Sequence, residues 1–395
     1  MVRTMNVVPD PPLRLAPLRF AFSGMAALAV AMGIGRFVYT PILPGMMEGL
    51  GMSASDAGLI ASANYLGYLV GALVGAGGWA HGRERQVGLA SLAASAALAA
   101  AMGLFTGLIP FLVIRFLAGV ASAMTMVFMT SIVFSHLALA RRNDLQALHF
   151  GGTGLGIAVS SLLMMVLATV HAHWTAGWYW SGVLSLAGLC LVAVLADEGP
   201  VNGANSGREP RLPRDPGLYK IIFSYGLFGF GYVITATFLV AIVRQNGETR
   251  VFEALVWLVT GAAAVPSLFL WQKLADRSNI YTAYALSCLV EAVGVAASVM
   301  ISGRPGPIIG GVLLGATFMV QTALGIQAGR QFAPLATRRV FAIMTASFGL
   351  GQIIGPLVAG ILVEWSGNYV SASLLAAGVL VLAAATAWWA APKSP

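Results

Sequence analysis

The chain has 395 residues, of which 58% are hydrophobic and only 9% charged, with a formal net charge of +8. A soluble domain carries roughly 25% charged residues, so this composition excludes a water-facing surface of ordinary size and requires apolar surface turned to lipid. The positive charge does not point to nucleic acid, because the basic residues sit in short connectors and not on a stripe interleaved with aromatics.

The chain opens on a Pro- and Arg-rich stretch, 1–17, which reads as a cytosolic tail. Arg14 and Arg19 precede an apolar run that resembles a secretory leader at first, but the run continues through Pro44, too long for a signal core. Since a hydrocarbon core needs roughly 20 helical residues, six spans are predicted near 18–45, 54–79, 86–106, 108–137, 145–170 and 176–196. A polar segment, 197–217, rich in charge, Gly and Pro, reads as a linker. Six more spans follow near 218–244, 251–273, 280–301, 306–331, 339–364 and 368–391. The organisation expected is therefore a tail (1–17), a six-helix bundle (18–196), a cytosolic linker (197–217) and a second bundle (218–395).

Lys and Arg fix an orientation. Twelve spans leave both termini on one side, and that side collects Arg3, Arg14, Arg19, Arg83, Arg85, Arg141, Arg142, the linker arginines, Lys273, Arg277, Arg330, Arg338 and Arg339. The other side holds Arg244, Arg250 and Arg304. Both termini are expected in the cytoplasm of a cell whose inner membrane the chain spans.

The second half repeats the first at an offset of about 195 residues. Gly33-Ile34-Gly35-Arg36 falls opposite Gly229-Phe230-Gly231-Tyr232, Gly154-Leu155-Gly156 opposite Gly349-Leu350-Gly351, and Gly119 opposite Gly315. Two halves related by a parallel repeat are the plan of the major facilitator fold.

Several segments carry a resemblance to that superfamily. Leu274-Ala275-Asp276-Arg277 looks like its loop motif, in which an Asp–Arg pair braces neighbouring helices, whereas Trp79-Ala80-His81-Gly82-Arg83 lacks the Asp. Arg115, Gly119 and Ala123 resemble a motif of proton-coupled exporters. More narrowly, Gly33 to Pro44, Gly229 to Phe238, Trp271 to Arg277 and Gly349 to Pro356 resemble the bacterial YbfB/YjiJ-type branch. The resemblance implies a transporter, with the first and fourth spans lining a central cavity and the ninth peripheral.

A charge inside lipid is costly, so each one is a functional candidate. Arg36 and Arg115 lie in the first and fourth spans, roughly 13 Å and 10 Å from the outer face at 1.5 Å per residue. Two cations at one level repel, and a cargo carboxylate or phosphate suits the planar guanidinium fork. Glu253, near the outer end of the eighth span, is a candidate to separate them in the empty state. The competing reading has each Arg bonded to backbone carbonyls or turned to the interface. The context of Arg115 favours gating or coupling. Tyr39, Thr40, Asn64, Tyr65, Tyr68, Tyr232, Thr235, Gln321 and Gln352 are the polar candidates for a cavity lining. Glu291 is a candidate coupling residue, and Asp276 and Arg277 are candidate gating residues.

The expected function is secondary transport of a small organic solute by alternating access, an organic anion being preferred because of Arg36. A proton-coupled exporter of apolar or cationic compounds is the alternative within transport, and a non-transporting membrane sensor the alternative of another class. Protons are the candidate coupling ion, lipid the surroundings, and a monomer the expected state. Cys190 and Cys288 lie apart in apolar segments without metal-ligand spacing, so no cofactor or metal is expected. Nor is an enzyme, for no HExxH, Ser/His/Asp grouping or paired carboxylates appear.

Overall fold

A computed structural model describes residues 16–77, 79–199 and 209–391. Nearly all of the expected tail and the middle of the expected linker lie outside these residues. Among those described, twelve helices are long and apolar enough to cross a membrane, and there are no strands. They are α1 (Pro17–Leu50), α2 (Ala54–Gly75), α3 (Glu84–Met102), α4 (Leu108–Leu139), α5 (Asn143–Thr169) and α6 (Trp174–Leu195), then α7 (Pro216–Gln245), α8 (Arg250–Arg277), α9 (Ile280–Met300), α10 (Pro305–Phe332), α11 (Thr337–Ser366) and α12 (Val370–Ala390). With an even number of crossings, α1 begins and α12 ends on the same face, here called the terminal face; the opposite one is the far face.

Local signals set the helix ends. Ser53 caps α2 in a reciprocal box with Asp56, Asp215 caps α7 ahead of Pro216, and Thr249 caps α8. Gly51 ends α1 in the left-handed conformation (φ 62°). The sequence reading ends this span near residue 45 at the Pro44-Gly45 pair. In the structure the helix runs through Pro44 to Leu50, so Pro44 lies inside the segment Tyr39–Leu50 and leaves the Thr40 carbonyl without its intrahelical donor. Arg36 therefore lies deeper than the sequence estimate placed it.

The halves are built alike, and the repeat shows which contacts recur. A side chain on Gly119 of α4 would strike the Asn64 carbonyl of α2; one on Gly315 of α10 would strike the Thr260 carbonyl of α8. Gly156 of α5 presses on the Ala29 carbonyl of α1, and Gly351 of α11 on the Gly226 carbonyl of α7. Without a hydrophobic force between helices in lipid, such backbone approaches supply the packing. The matched pairs Gly119/Gly315 and Gly156/Gly351 are thus positions where helices touch.

The halves join mainly through α2 against α11 and α5 against α8. Gly154 of α5 lies on Gly261 of α8, and Gly58 of α2 on the Pro356 carbonyl of α11. Among the described residues, the side-chain bonds between halves lie toward the far face. Thr40 donates to the Ala236 carbonyl (2.5 Å), Ser62 to that of Ile353 (2.7 Å), and Glu364 accepts from the Ser55 N–H (3.0 Å). These bonds join the halves at the far side.

At the terminal face, the polar stretch between the halves is tied at each described end. Arg85 donates to the Ala193 and Ala196 carbonyls (2.8 and 2.7 Å), and its N–H meets the Glu198 carboxylate (3.0 Å). Glu209 accepts from the backbone N–H groups of Arg338 and Arg339 at the start of α11 (3.0 and 3.1 Å). Desolvation is the largest single influence on that carboxyl and raises it, but these donors and the Arg338 guanidinium together outweigh it and hold the group below the usual carboxylate range.

Candidate functional site

The site begins at a break in α1. Regular helix stops at Leu28, Ala29–Ile34 wind as a π-helix, and turns follow until helix resumes at Tyr39. The N–H groups of Gly35 and Phe37 reach back five residues, to Val30 (2.8 Å) and Met32 (3.1 Å). Glycine suits position 35, where a side chain would crowd the Ala31 carbonyl at 2.8 Å. Wide turns of this type are concentrated at functional sites. The Thr40 N–H turns to Phe37 (3.2 Å), so the Arg36 carbonyl loses the donor a regular helix would supply.

Arg115 takes over that role. Its Nη1 donates to the Gly35 carbonyl and its Nη2 to that of Arg36, both at 3.0 Å. Asn64 donates to the carbonyl of Arg115 itself (2.8 Å), fixing α2 to α4 at this level. Tyr39 and Trp178 lie beside the guanidinium at 5.1 and 6.0 Å to their centroids. Of the two readings of Arg115, the geometry realises the backbone-carbonyl one. Arg115→Ala is expected to leave two buried acceptors unpaired and cost about 2–5 kcal/mol, with Arg115→Lys recovering part of it. Thermal unfolding of the purified protein checks this, and a wild-type transition in the alanine variant would contradict it.

Arg36 differs from Arg115 in its bonding. It is equally buried at 3% exposure, yet among the described residues its Nε and Nη2 have no hydrogen-bond partner. No carboxylate lies within ion-pair distance among the described residues. Its company is aromatic: the guanidinium stands 4.6 Å from the Tyr65 centroid, 4.3 Å from Tyr68 and 5.6 Å from Phe37. Cation–π contact offsets part of the desolvation cost, but it leaves the donor edge unused. The Tyr68 hydroxyl lies within hydrogen-bonding reach of the guanidinium, but a buried cation without an acidic partner is unusual.

Facing it, the second half contributes Tyr232 of α7, whose hydroxyl accepts from the Gln352 amide of α11. Rings continue from there through Phe318 of α10 and through Phe348 of α11 to Phe228 and Tyr225. Phe37 meets Phe318 edge-on at 5.7 Å across the boundary between the halves.

The other sequence candidates divide among several places. Tyr39 donates to the Ala57 carbonyl (2.9 Å) and Thr40 to Ala236, so both bind backbone. Tyr68 donates to the Met126 sulfur at 2.9 Å. Thr235 is buried with a free hydroxyl. Glu291 is fully buried and turned toward α10, where Thr317 donates to it at 3.3 Å and Gln321 lies alongside. Its helix is peripheral, but its carboxyl faces protein. Asp276 accepts only from Gln272 of its own helix (3.3 Å) among the described residues, and it and Arg277 are exposed.

Glu253 does not lie between the two buried arginines. It forms a bidentate pair with Arg244, whose Nη1 also donates to Glu48 of the first half at 2.7 Å. This three-residue latch, with Arg250 3.6 Å from Glu48, rims a far-face cavity of about 390 Å³ that also touches His171, His173 and Trp174. Neither Arg36 nor Tyr232 lines that cavity. The sequence reading missed Glu48 and Arg244. The available signal was the scarcity of charge at the outer connectors, where an acid and a base from different halves had few other partners.

A profile of the family described as "Uncharacterised MFS-type transporter YbfB" matches residues 28–388. No curated protein matches the sequence. Among solved structures, a D323A mutant of the nucleoside transporter NupG aligns with a TM-score of 0.74 at 14% identity, covering 94% of this chain and 99% of that one. A bacterial homologue of the human lysosomal transporter Spinster, in an inward-facing and occupied conformation, aligns at 0.70 with 13% identity, over 97% of each chain. Its unoccupied inward-facing form aligns at 0.69 with 12% identity, covering 96% and 98%. At these identities the likeness is one of fold. The family match extends over nearly the whole chain, twelve spanning helices included, and the chain therefore belongs to the YbfB-type family of MFS transporters.

Proposed function

We propose that this protein is a secondary transporter of a small organic anion, working by alternating access with both termini in the cytoplasm. One observation carries the anion assignment: Arg36 is buried beside the boundary of the two halves with Nε and Nη2 unpartnered. Those two donors share one edge of the guanidinium, the edge that a carboxylate meets with two parallel hydrogen bonds. Arg115 at the same level does not compete, since its Nη1 and Nη2 are engaged by carbonyls. The orientation rests on the excess of Lys and Arg at the terminal face.

In this reading the closed far face, held by the Arg244 latch and by α2 on α11, represents one end of the cycle. Cargo charge on Arg36 replaces an uncompensated cation with a pair, and this differential interaction favours the state that closes around it. The test is uptake of radiolabelled small carboxylates into proteoliposomes. Arg36→Ala is expected to lower it about 100-fold, in line with ~3 kcal/mol for a charge-assisted pair. Unchanged uptake of an anionic cargo by the variant would refute the assignment.

A further inference from the structure

The surroundings of Arg36 restrict the cargo further. Tyr232 is nearly coplanar in orientation with Phe348 (2°, centroids 5.7 Å apart) and with Phe318 (10°, 6.2 Å). These three rings come from α7, α11 and α10, so their alignment is not a local consequence of one helix. Rings packed only to fill a core adopt edge-to-face as readily as offset-stacked arrangements. Here the hydroxyl of Tyr232, held by Gln352, fixes the plane of the first ring and thereby the orientation of the ladder.

The ladder also lies at a moving boundary. Phe318 touches Phe37 of the first half, and Phe348 sits on α11, a helix that packs across the halves on α2. When the halves separate, ring faces are uncovered next to the free donor edge of Arg36. The recess so formed offers one anion anchor and flat apolar walls. It offers no second cation, because Arg115 is held by backbone, and its polar groups beyond Tyr232 and Gln352 include the Tyr65 and Tyr68 hydroxyls beside Arg36. A dicarboxylate would bury one uncompensated charge there.

Resting on the assignment of Arg36 as anion anchor, we propose that the cargo is a planar aromatic monocarboxylate of about benzoate size. Its carboxylate accepts from Nε and Nη2 of Arg36, and its ring stacks on the ladder of Tyr232, Phe318 and Phe348.

Equilibrium binding to the purified full-length protein tests this with benzoate, cyclohexanecarboxylate, benzyl alcohol and succinate. Benzoate is expected to bind about tenfold tighter than cyclohexanecarboxylate, which matches it in charge but cannot stack. Phe348→Leu should reduce benzoate to the level of cyclohexanecarboxylate. Tyr232→Phe, which keeps the ring but frees it from Gln352, should weaken the preference without abolishing it, and thermal unfolding of each variant controls for damage to the fold. Equal affinity for the two acids, both lost in Arg36→Gln, would overturn the aromatic assignment and leave the anion reading standing. Benzyl alcohol binding as tightly as benzoate and unaffected by Arg36→Gln would overturn the anion reading itself. Preference for succinate, or no benzoate binding up to about 10 mM, would overturn the proposal outright.

Discussion

Arg36→Gln is expected to make the protein more stable and inactive at once. In the structure the guanidinium is buried at 3% exposure, with two donors unpaired and no acid within ion-pair reach among the described residues. Desolvating such a charge costs several kcal/mol, and contact with Tyr65 and Tyr68 returns about 2 kcal/mol each at best. A neutral amide of similar reach removes the larger penalty, so a gain of about 1–3 kcal/mol is expected. Stability gained where function is lost marks a site kept strained for its ligand. Thermal unfolding in detergent, measured beside uptake, checks both halves of the prediction. A lower transition temperature for Arg36→Gln would mean that the cation supports the fold.

Gly58→Val is expected to hold the far face open. The atoms nearest a side chain at this position belong to Pro356 and Leu357 of α11, in the other half, so the substitution spares the packing of α2 within its own half. Overpacking of this kind costs about 1–3 kcal/mol, paid only in the closed arrangement. A difference of ~2 kcal/mol shifts a two-state equilibrium roughly 30-fold. Ser62, bonded to the Ile353 carbonyl in the closed state, reports the change. In a Cys190→Ser background that removes the exposed native thiol, Ser62→Cys should react with an impermeant maleimide from the far side at least about tenfold faster when Gly58→Val is present. Uptake should fall in parallel. Equal labelling rates would show that the α2–α11 contact does not control closure.

How much of this was legible in the sequence follows from what each feature depends on. The twelve spans depend on hydropathy and length, and the expected ranges fall within several residues of the helices. The repeat depends on glycines at fixed offset, and these prove to be the backbone contacts Gly119–Asn64 and Gly315–Thr260. The break in α1 was not legible. Gly33 and Gly35 stand out in the sequence only as a repeat match and a family resemblance, and a π-turn leaves no hydropathy signal. Without the break, the carbonyls that occupy Arg115 could not be foreseen, so Arg36 and Arg115 looked alike. Glu253 was recognised as a membrane-edge acid, but its partner Arg244 follows from loop geometry at the far face. The aromatic ladder escaped notice for a related reason: Phe318 and Phe348 lie far apart in sequence and look like ordinary apolar core until three helices align them.

The central claim is that Arg36 holds the negative charge of the cargo. Its most direct test compares ligands matched in shape but differing in charge, a carboxylate, the corresponding primary amide and the corresponding primary amine, by their effect on the thermal unfolding of wild type and Arg36→Gln. The carboxylate is predicted to stabilise the wild type alone, with amide and amine without effect on either protein. Stabilisation of both proteins by the carboxylate, or of the wild type by the amine in its place, would contradict the claim.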